Sequence, residues 1–457
     1  MSFVGRVAEL EELERRYDAP EGQLVLLAGR RRIGKTYLLQ QFTGRHPGRT
    51  VFYQATRQAE SRELEAFTAL VARELGGLPP GFAFPRWEAA LEWLDERAGA
   101  ERLVVVLDEY PYLTESTPGL SSVIQRWWDR RGRSARAMLV LCGSEQAVMD
   151  DLDRGASPLH QRFTAKLHLN ALAYDEAARL LPGLAPADLV RVYAILGGTP
   201  LYVREWDVRA TLRANLLRLF GDPRSALIDA ARLVLQTDLR DATVAFRTLG
   251  AVAAGETKRN AIIQRARITN ERTLTRLEEL GLLVKRVPIT EGTASRRGVY
   301  AVADPYFRFW FRFIEPNLAT IDRGFGTRLI DETILPQLDA HVGHVFEEIA
   351  RTYVSCLVRD GALEARDVGS WWSTSGDHEI DVVGVGPRAV PSFIGSVKWR
   401  AAPLGREVYR NLAGHAAALG VGEELPWLLI GRRGVEPSLL AALPHVRGYS
   451  IDDLYAS

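Results

Sequence analysis

Gly29-Arg30-Arg31-Arg32-Ile33-Gly34-Lys35-Thr36, entered through the apolar run Leu24-Val25-Leu26-Leu27, is the stretch of this 457-residue chain that decides its fold. The run ends in glycine and the residues from Lys35 onward have helical spacing, so the segment reads strand, loop, helix. Glycine adopts positive φ without steric cost, so the spacing Gly-x4-Gly-Lys-Thr lets backbone N–H groups from Gly29 through Arg32, Ile33 and Gly34 to Tyr37 wrap an anion. The start of the following helix adds its dipole to the same space. Lys35 is then placed for the β- and γ-phosphates of a nucleotide and the Thr36 hydroxyl for a cation, which predicts ATP and Mg²⁺ as cofactors. The side chains of Arg30, Arg31 and Arg32 are expected to face solvent while their N–H groups bind.

Further apolar runs with strand character lie at 50–54, 102–107, 137–142 and 166–169, separated by helical stretches such as 62–75 and 87–97. Alternating buried strands and helices predict a parallel sheet covered on both faces. The run at 102–107 ends in Asp108-Glu109. Asp108 is expected to hold Mg²⁺ through water and Glu109 to orient and deprotonate the attacking water. The next run ends Leu141-Cys142-Gly143-Ser144, where Ser144 is either a contact to the γ-phosphate or lytic water, or a plain turn serine. Glu115 and Asp129 have no comparable context and read as solvated.

The chain is about three times the usual ~150-residue domain, so a nucleotide-binding unit cannot account for all of it. Apolar residues make up 47% and charged residues 25%, the balance of an ordinary globular protein. With Lys+Arg 58 and Asp+Glu 57, the net charge of +1 exerts no global pull on nucleic acid, so any DNA contact must come from a local patch. Two cysteines, Cys142 and Cys356, make no disulfide framework and agree with a reducing cytoplasm. No run of ~18 apolar residues occurs, so neither secretion nor a membrane span is expected.

Residues 174–220 are helical throughout and read as a lid. Helical patterns at 260–267 and 270–280 precede an alternating stretch, 284–302, broken by a Gly/Ser/Arg-rich turn; two helices and a hairpin are the outline of a winged helix-turn-helix. Arg265, Arg267, Arg272 and Arg276 on the helices, with Lys285, Arg286, Arg296 and Arg297 by the wing, form the local basic patch, diluted by Glu271, Glu278 and Glu279. DNA contact and protein packing both remain open for this module. The aromatic stripe at 304–316 reads as a core helix, because a base-stacking platform needs exposed rings. Beyond it, helices at 343–358 and 404–419 and strands at 363–372, 379–385, 392–399 and 427–430 predict a third, α/β domain.

Phe3-Val4-Gly5-Arg6, the Gly-Arg-Arg-Arg-Ile-Gly-Lys-Thr loop, Leu107-Asp108-Glu109 and Gly197-Gly198-Thr199-Pro200 together resemble the archaeal-type P-loop ATPases of the STAND branch of AAA+ proteins. The resemblance implies that Val4, Arg6, Gly198 and Pro200 line an adenine pocket. It also implies that Arg162 meets the γ-phosphate, where the residues alone favour a surface arginine. In the C-terminal part, His344-Val345-Phe346-Glu347-Glu348, Glu379-Ile380-Asp381 and Ser396-Val397-Lys398 resemble a restriction-endonuclease-like domain. Asp381 and Lys398 match that pattern, whereas Ser396 stands where a second acid belongs. Glu379, or Glu347 or Glu348 from the preceding helix, are the acids near enough to stand in.

The expected architecture is therefore α/β: a parallel-sheet P-loop (AAA+/STAND) core at 1–170, a helical lid at 171–235, a winged helix at 236–316 and a restriction-endonuclease-like α/β domain at 317–457. The expected function is an ATP-hydrolysing switch acting with or on DNA through its winged helix and a degenerate nuclease-like domain. The alternatives are an ATP-licensed DNA nuclease and a nucleotide-bound scaffold with negligible turnover. Nucleotide-dependent homo-oligomers are expected from the resemblance.

Overall fold

The computed structural model describes residues 3–99, 101–132, 134–239, 242–268, 272–292 and 295–456. The chain divides into two compact units, Met1–Leu172 with Gln236–Arg240, and Ala173–Leu235 with Asp241–Ser457. The fold class is α/β.

The first unit is built on five parallel strands, β1 (Gln23–Gly29), β2 (Thr50–Gln54), β3 (Leu103–Asp108), β4 (Ala137–Gly143) and β5 (Ala165–Leu169), in the order β2-β3-β4-β1-β5. β1, β3 and β4 are buried at every residue. Helices cover both faces, which is why these strands are unbroken apolar runs rather than alternating ones. Successive side chains feed two separate cores: Leu24, Leu26 and Ala28 join Phe67, Val105 and Leu139, while Val25 and Leu27 join Leu38, Phe42, Val104 and Val106.

Register does the positioning. Ala28 pairs with Gly143, Leu107 with Leu141 and Gly29 with Leu169, so β1, β3 and β4 finish side by side at one edge of the sheet. Loops leaving the carboxyl ends of such strands are where an open parallel sheet holds its ligand. Gly29 is required by packing: a Cβ there would lie 2.5 Å from Ile33 Cδ1 and 2.6 Å from the Leu169 carbonyl.

The second unit opens with helices Tyr174–Ala178, Pro186–Leu196, Pro200–Val203 and Leu212–Leu216. Helices Ala242–Ala253, Arg259–Ala266 and Arg272–Glu279 follow, then an antiparallel pair, β6 (Leu283–Arg286) and β7 (Val299–Val302), in which Val284 faces Ala301. The next helical stretch, Pro305–Phe309 continued by Trp310–Ile314, buries Tyr306, Phe307, Phe309, Trp310, Phe311 and Phe313, so the aromatic stripe is core. Asp304 caps its first turn by accepting from the Tyr306 N–H at 2.9 Å, and Pro305 sits where its missing donor costs nothing. The polar tips are satisfied as well: the Tyr306 hydroxyl donates to the Leu227 carbonyl at 2.7 Å and Trp310 Nε1 to the Ile228 carbonyl at 2.8 Å.

A 25-residue helix, Leu335–Arg359, leads into the last sheet. It starts eight residues earlier than its most regular stretch at 343–358, because Leu338, His341 and Val342 extend the same buried stripe. The sheet runs β12-β11-β10-β9-β8, with β8 (Asp367–Trp372), β9 (Glu379–Val385), β10 (Pro391–Lys398), β11 (Trp427–Gly431) and β12 (Val446–Ser450). Its β8–β9–β10 half is antiparallel and its β10–β11–β12 half parallel. Helix Arg406–Leu419 supplies the crossover that the parallel β10–β11 pair demands. Among the described residues no helix is long and apolar enough to cross a membrane.

Candidate functional site

The loop after β1 enters helix Lys35–Thr43 through Gly34 at φ 96°, a left-handed conformation that glycine tolerates. Lys35 is buried, and its Nζ donates to the loop's own Gly29 and Arg30 carbonyls at 2.8 and 3.0 Å. The Thr36 hydroxyl donates to Asp108 Oδ2 at 2.8 Å across the gap between β1 and β3. Glu109 follows at φ 54°, an uncommon conformation for a residue with a Cβ that costs on the order of 1 kcal/mol. Bonds at both ends hold it there: its N–H donates to Asp108 Oδ1 at 3.0 Å, and its carboxylate accepts from the buried Ser144 hydroxyl at 2.9 Å. Cys142 stands behind this group, its thiol pushed well up by burial and then by Asp108, so it is inert.

A hydroxyl and a carboxylate oxygen 2.8 Å apart, at the mouth of a loop whose Lys donates to two of the loop's own carbonyls, are the oxygen donors a hard cation takes. The residues present fit ATP with Mg²⁺.

The loop arginines do not all face solvent. Only Arg32 is exposed, at φ 69°. Arg30 is buried. Arg31 turns inward: its Nε donates to Ser144 Oγ at 3.3 Å and its Nη2 to the Tyr112 hydroxyl at 2.6 Å. The expectation failed because a guanidinium at this point of the loop faces the polar ends of β3 and β4 rather than water. Arg6 is buried too and braces the loop, donating to the Ile33 carbonyl at 3.3 Å and to the Asn170 carbonyl. Val4 is half-buried, with Phe3 beside Tyr37 at 5.6 Å between ring centroids.

Arg162 is not at this site in its own chain. Val25 pairs with Ala165 while Gly29 pairs with Leu169, so a residue just before β5 lies at the opposite edge, roughly 13 Å away at ~3.3 Å per residue. There Arg162 grips Asp129 with two bonds, at 2.8 and 2.9 Å. Asp129 and Glu115 are both exposed, as expected, and each also meets an arginine, Glu115 reaching Arg57 at 3.4 Å.

The remaining candidates lie in the second unit. Pro200 opens helix Pro200–Val203, and Gly198 precedes it by two residues. Arg265 and Arg276 are tied to Glu256 and Glu279 at 3.0 and 2.9 Å, whereas Arg267 and Arg272 are exposed. Glu271 lies outside the described residues.

In the C-terminal sheet, Gly395 faces Val382, which sets Ser396 against Asp381. Asp381 Oδ2 accepts from the Ser396 hydroxyl at 3.0 Å, the Val397 N–H at 2.7 Å and Lys398 Nζ at 2.9 Å. Glu347 approaches from helix Leu335–Arg359, its carboxyl pushed up to about 7 by burial first and Asp381 second. Glu379 is exposed, yet near enough for its charge to act on Glu347 as well. Glu348 points elsewhere, to Arg308 at 2.6 Å and to Arg286. The sequence reading missed Arg351, which donates to the Asp381 carbonyl at 2.9 Å, and His378 and His415, whose Nδ1 atoms are 3.2 Å apart. Arg351 was accessible from its i+4 spacing to Glu347. His415 had no such signal, since only the fold brings it to His378. Among the described residues no three or more His, Cys, Asp or Glu side chains converge as a metal cluster.

A family model of an ATPase domain predominantly from Archaea matches residues 3–206, and one of archaeal and bacterial proteins of unknown function matches residues 310–410. An uncharacterized protein of Methanocaldococcus jannaschii is 25% identical over 449 residues, 94% of this chain and 96% of that one. An uncharacterized ATP-binding protein of the same organism is 50% identical over 40 residues, 9% of this chain and 68% of that one. Among solved structures, a Walker-type ATPase of Pyrococcus abyssi is similar with a TM-score of 0.49 at 19% identity, over 68% of this chain and 96% of that one. With its loop after β1 and its carboxylates closing β3 both inside the matched segment, the chain belongs to the P-loop ATPases of this predominantly archaeal family.

Proposed function

We propose that this protein binds ATP with Mg²⁺ and hydrolyses it slowly, as a cytoplasmic molecular switch of the AAA+/STAND type that acts with or on DNA. The observation that carries the proposal is the convergence of Lys35, Thr36, Asp108, Glu109 and Ser144 at one edge of one sheet. Phosphate oxygens are stronger acceptors than the Gly29 and Arg30 carbonyls, so Lys35 moves its bonds to the β- and γ-phosphates when the nucleotide enters. Thr36 and Asp108 are the residues that hold the cation, and bound Mg²⁺ supplies charge neutralisation on the phosphoryl oxygens. Glu109 takes the proton of the attacking water, with Ser144 aiming its carboxylate. Arg31, reaching Ser144 from the loop, takes the γ-phosphate role first assigned to Arg162; an arginine so placed is worth about 10³ to 10⁵ in rate.

The division into a core (1–170), lid (171–235), winged helix (236–316) and nuclease-like domain (317–457) belongs to the same proposal. The helices Arg259–Ala266 and Arg272–Glu279 with β6 and β7 act as the winged helix, and exposed Arg267 and Arg272 meet DNA phosphates. The nuclease-like domain cuts poorly or not at all, because three donors already occupy the one oxygen of Asp381 that faces Ser396 and Lys398. A second reading, an ATP-licensed nuclease, is favoured only by the nearness of Glu347 and Glu379 to that aspartate.

Lys35→Ala should abolish ATP binding, whereas Glu109→Gln should keep binding and stop turnover, as read by nucleotide binding and phosphate release. Wild-type turnover in Glu109→Gln would remove the base from this scheme.

A further inference from the structure

The second unit holds a cavity of about 800 Å³, within the ~300–1,000 Å³ of ordinary ligand sites, that touches the carboxylate cluster only at Glu347. Its wall carries five arginines, Arg247, Arg265, Arg286, Arg308 and Arg312, against two glutamates, Glu315 and Glu347. Burial pushes the Glu347 carboxyl up to about 7, which withholds part of its charge near neutral pH. Like charges around one space repel, so each needs a counter-charge.

Three of the five have one in the protein. Glu348 takes Arg308 and Arg286, and Glu256 takes Arg265 at 3.0 Å. Arg308 is further fixed by the Val302 carbonyl at 2.6 Å. Arg247 and Arg312 have no carboxylate partner among the described residues. Arg312 is half-buried with its guanidinium 5.0 Å over the Phe313 ring, and burial alone shifts it, downward. A half-buried cation without a carboxylate is costly unless an anion visits it.

A second hollow shares one wall residue, Tyr300, with this cavity, and its wall carries Lys258, Arg259, Lys285 and Arg296. A single small anion would answer one hollow, whereas a chain of phosphates answers both. The guanidinium fork matches phosphate oxygens two at a time.

We infer that the arginine-lined cavity binds consecutive phosphodiesters of a nucleic-acid strand, with Arg247 and Arg312 as its uncompensated contacts and the Tyr300 side leading to the second hollow. The inference rests on the reading that the second unit works on nucleic acid and adds where the strand runs. Arg286 and Arg308 hold the half-buried Glu348, so their removal would report on folding. Arg247 and Arg312 are the positions to change.

Full-length wild type, Arg247→Ala/Arg312→Gln and the single variant Arg247→Glu would be titrated against labelled single-stranded and duplex oligonucleotides without ATP. Inorganic tripolyphosphate would be the competitor, and ATP turnover would be followed on the same samples. Arg247 is exposed, so its single variant keeps the test open if the double variant misfolds. The expected result is about tenfold or more weaker strand binding, a log–log salt slope shallower by about 0.7 per lost contact on single strands, and unchanged ATP turnover. Wild type that binds no strand would sink the nucleic-acid reading itself. Wild type that binds while both variants keep its affinity and salt slope would overturn only the cavity. So would variants that lose tripolyphosphate competition but keep the strand, since the source of the phosphate would then be a free polyphosphate.

Discussion

Arg31, in the loop after β1, donates through Nε to Ser144 Oγ at the end of β4, 3.3 Å away. The same hydroxyl donates to Glu109 Oε2 at 2.9 Å, so an arginine of the phosphate loop and the carboxylate after β3 share one serine. Moving Arg31 would alter what Ser144 bonds, and through it the aim of Glu109. Ser144→Ala should therefore lower kcat by on the order of 10- to 100-fold with little change in ATP affinity. Arg31→Ala should lower it by about 10³-fold or more, while Arg162→Ala leaves the turnover of isolated chains unchanged. Steady-state phosphate release from dilute protein checks this; equal losses in the Arg31 and Arg162 variants would refute the assignment of Arg31.

The helix arginines should not contribute equally to DNA affinity. Arg265 and Arg276 each hold a carboxylate, Glu256 at 3.0 Å and Glu279 at 2.9 Å, that a DNA phosphate would have to displace, and Arg267 and Arg272 are exposed beside them. Arg267→Ala/Arg272→Ala should weaken duplex binding and reduce the salt slope by about 0.9 per lost phosphate contact, and Arg265→Ala/Arg276→Ala should do less of both. Binding isotherms at several salt concentrations decide it. If neither pair moves affinity or slope, the two helices and strand pair at 259–302 act as a packing module.

Ser396→Glu should gain cleavage. A carboxylate at 396 would face Asp381 across β9 and β10, add the missing oxygen ligand and draw Lys398 off Asp381 Oδ2, where it now stands at 2.9 Å. Plasmid nicking with Mg²⁺ or Mn²⁺, in the presence of ATP, is the readout. Clear cleavage by wild type that disappears in Asp381→Ala would show an intact site rather than a decayed one.

His341 should make the second unit sensitive to acid. The ring is fully buried, Nε2 lies 2.9 Å from the Ala194 carbonyl, and burial lowers its pKa from 6.5 to about 3. Between those values the unfolded chain takes up a proton that the folded chain refuses, so stability falls as pH drops below 6.5, by about 1.4 kcal/mol per unit. Glu347 acts in the opposite sense: raised from 4.5 to about 7, it binds its proton more tightly when folded, and its contribution is lost as pH rises through that window. Unfolding free energies at pH 7 and 5 in a Glu347→Gln background should thus differ by about 2 kcal/mol through His341, and His341→Gln should remove that part, leaving the smaller contributions of His344 and His415, which burial also lowers. A His341→Gln slope equal to that of its parent would exclude the histidine.

Local chemistry was enough to read the nucleotide loop, because glycine's conformational freedom, an apolar run and a Lys-Thr pair at a helix start act within a dozen residues. The same holds for the aromatic stripe, since so many large rings in ten residues are too apolar to be left in water. It holds in outline for the two helices and hairpin at 259–302, whose periods of 3.6 and 2 differ visibly. Periodicity says which face of a strand is covered but not which strand lies beside it. The placement of β1 between β4 and β5, which carries Arg162 to the far edge and brings Arg31 to a serine 113 residues away, was therefore decided only by the tertiary structure. So were the three donors on Asp381 and the cavity with two uncompensated arginines, because each gathers side chains from separate elements whose mutual distances depend on packing rather than on any local signal.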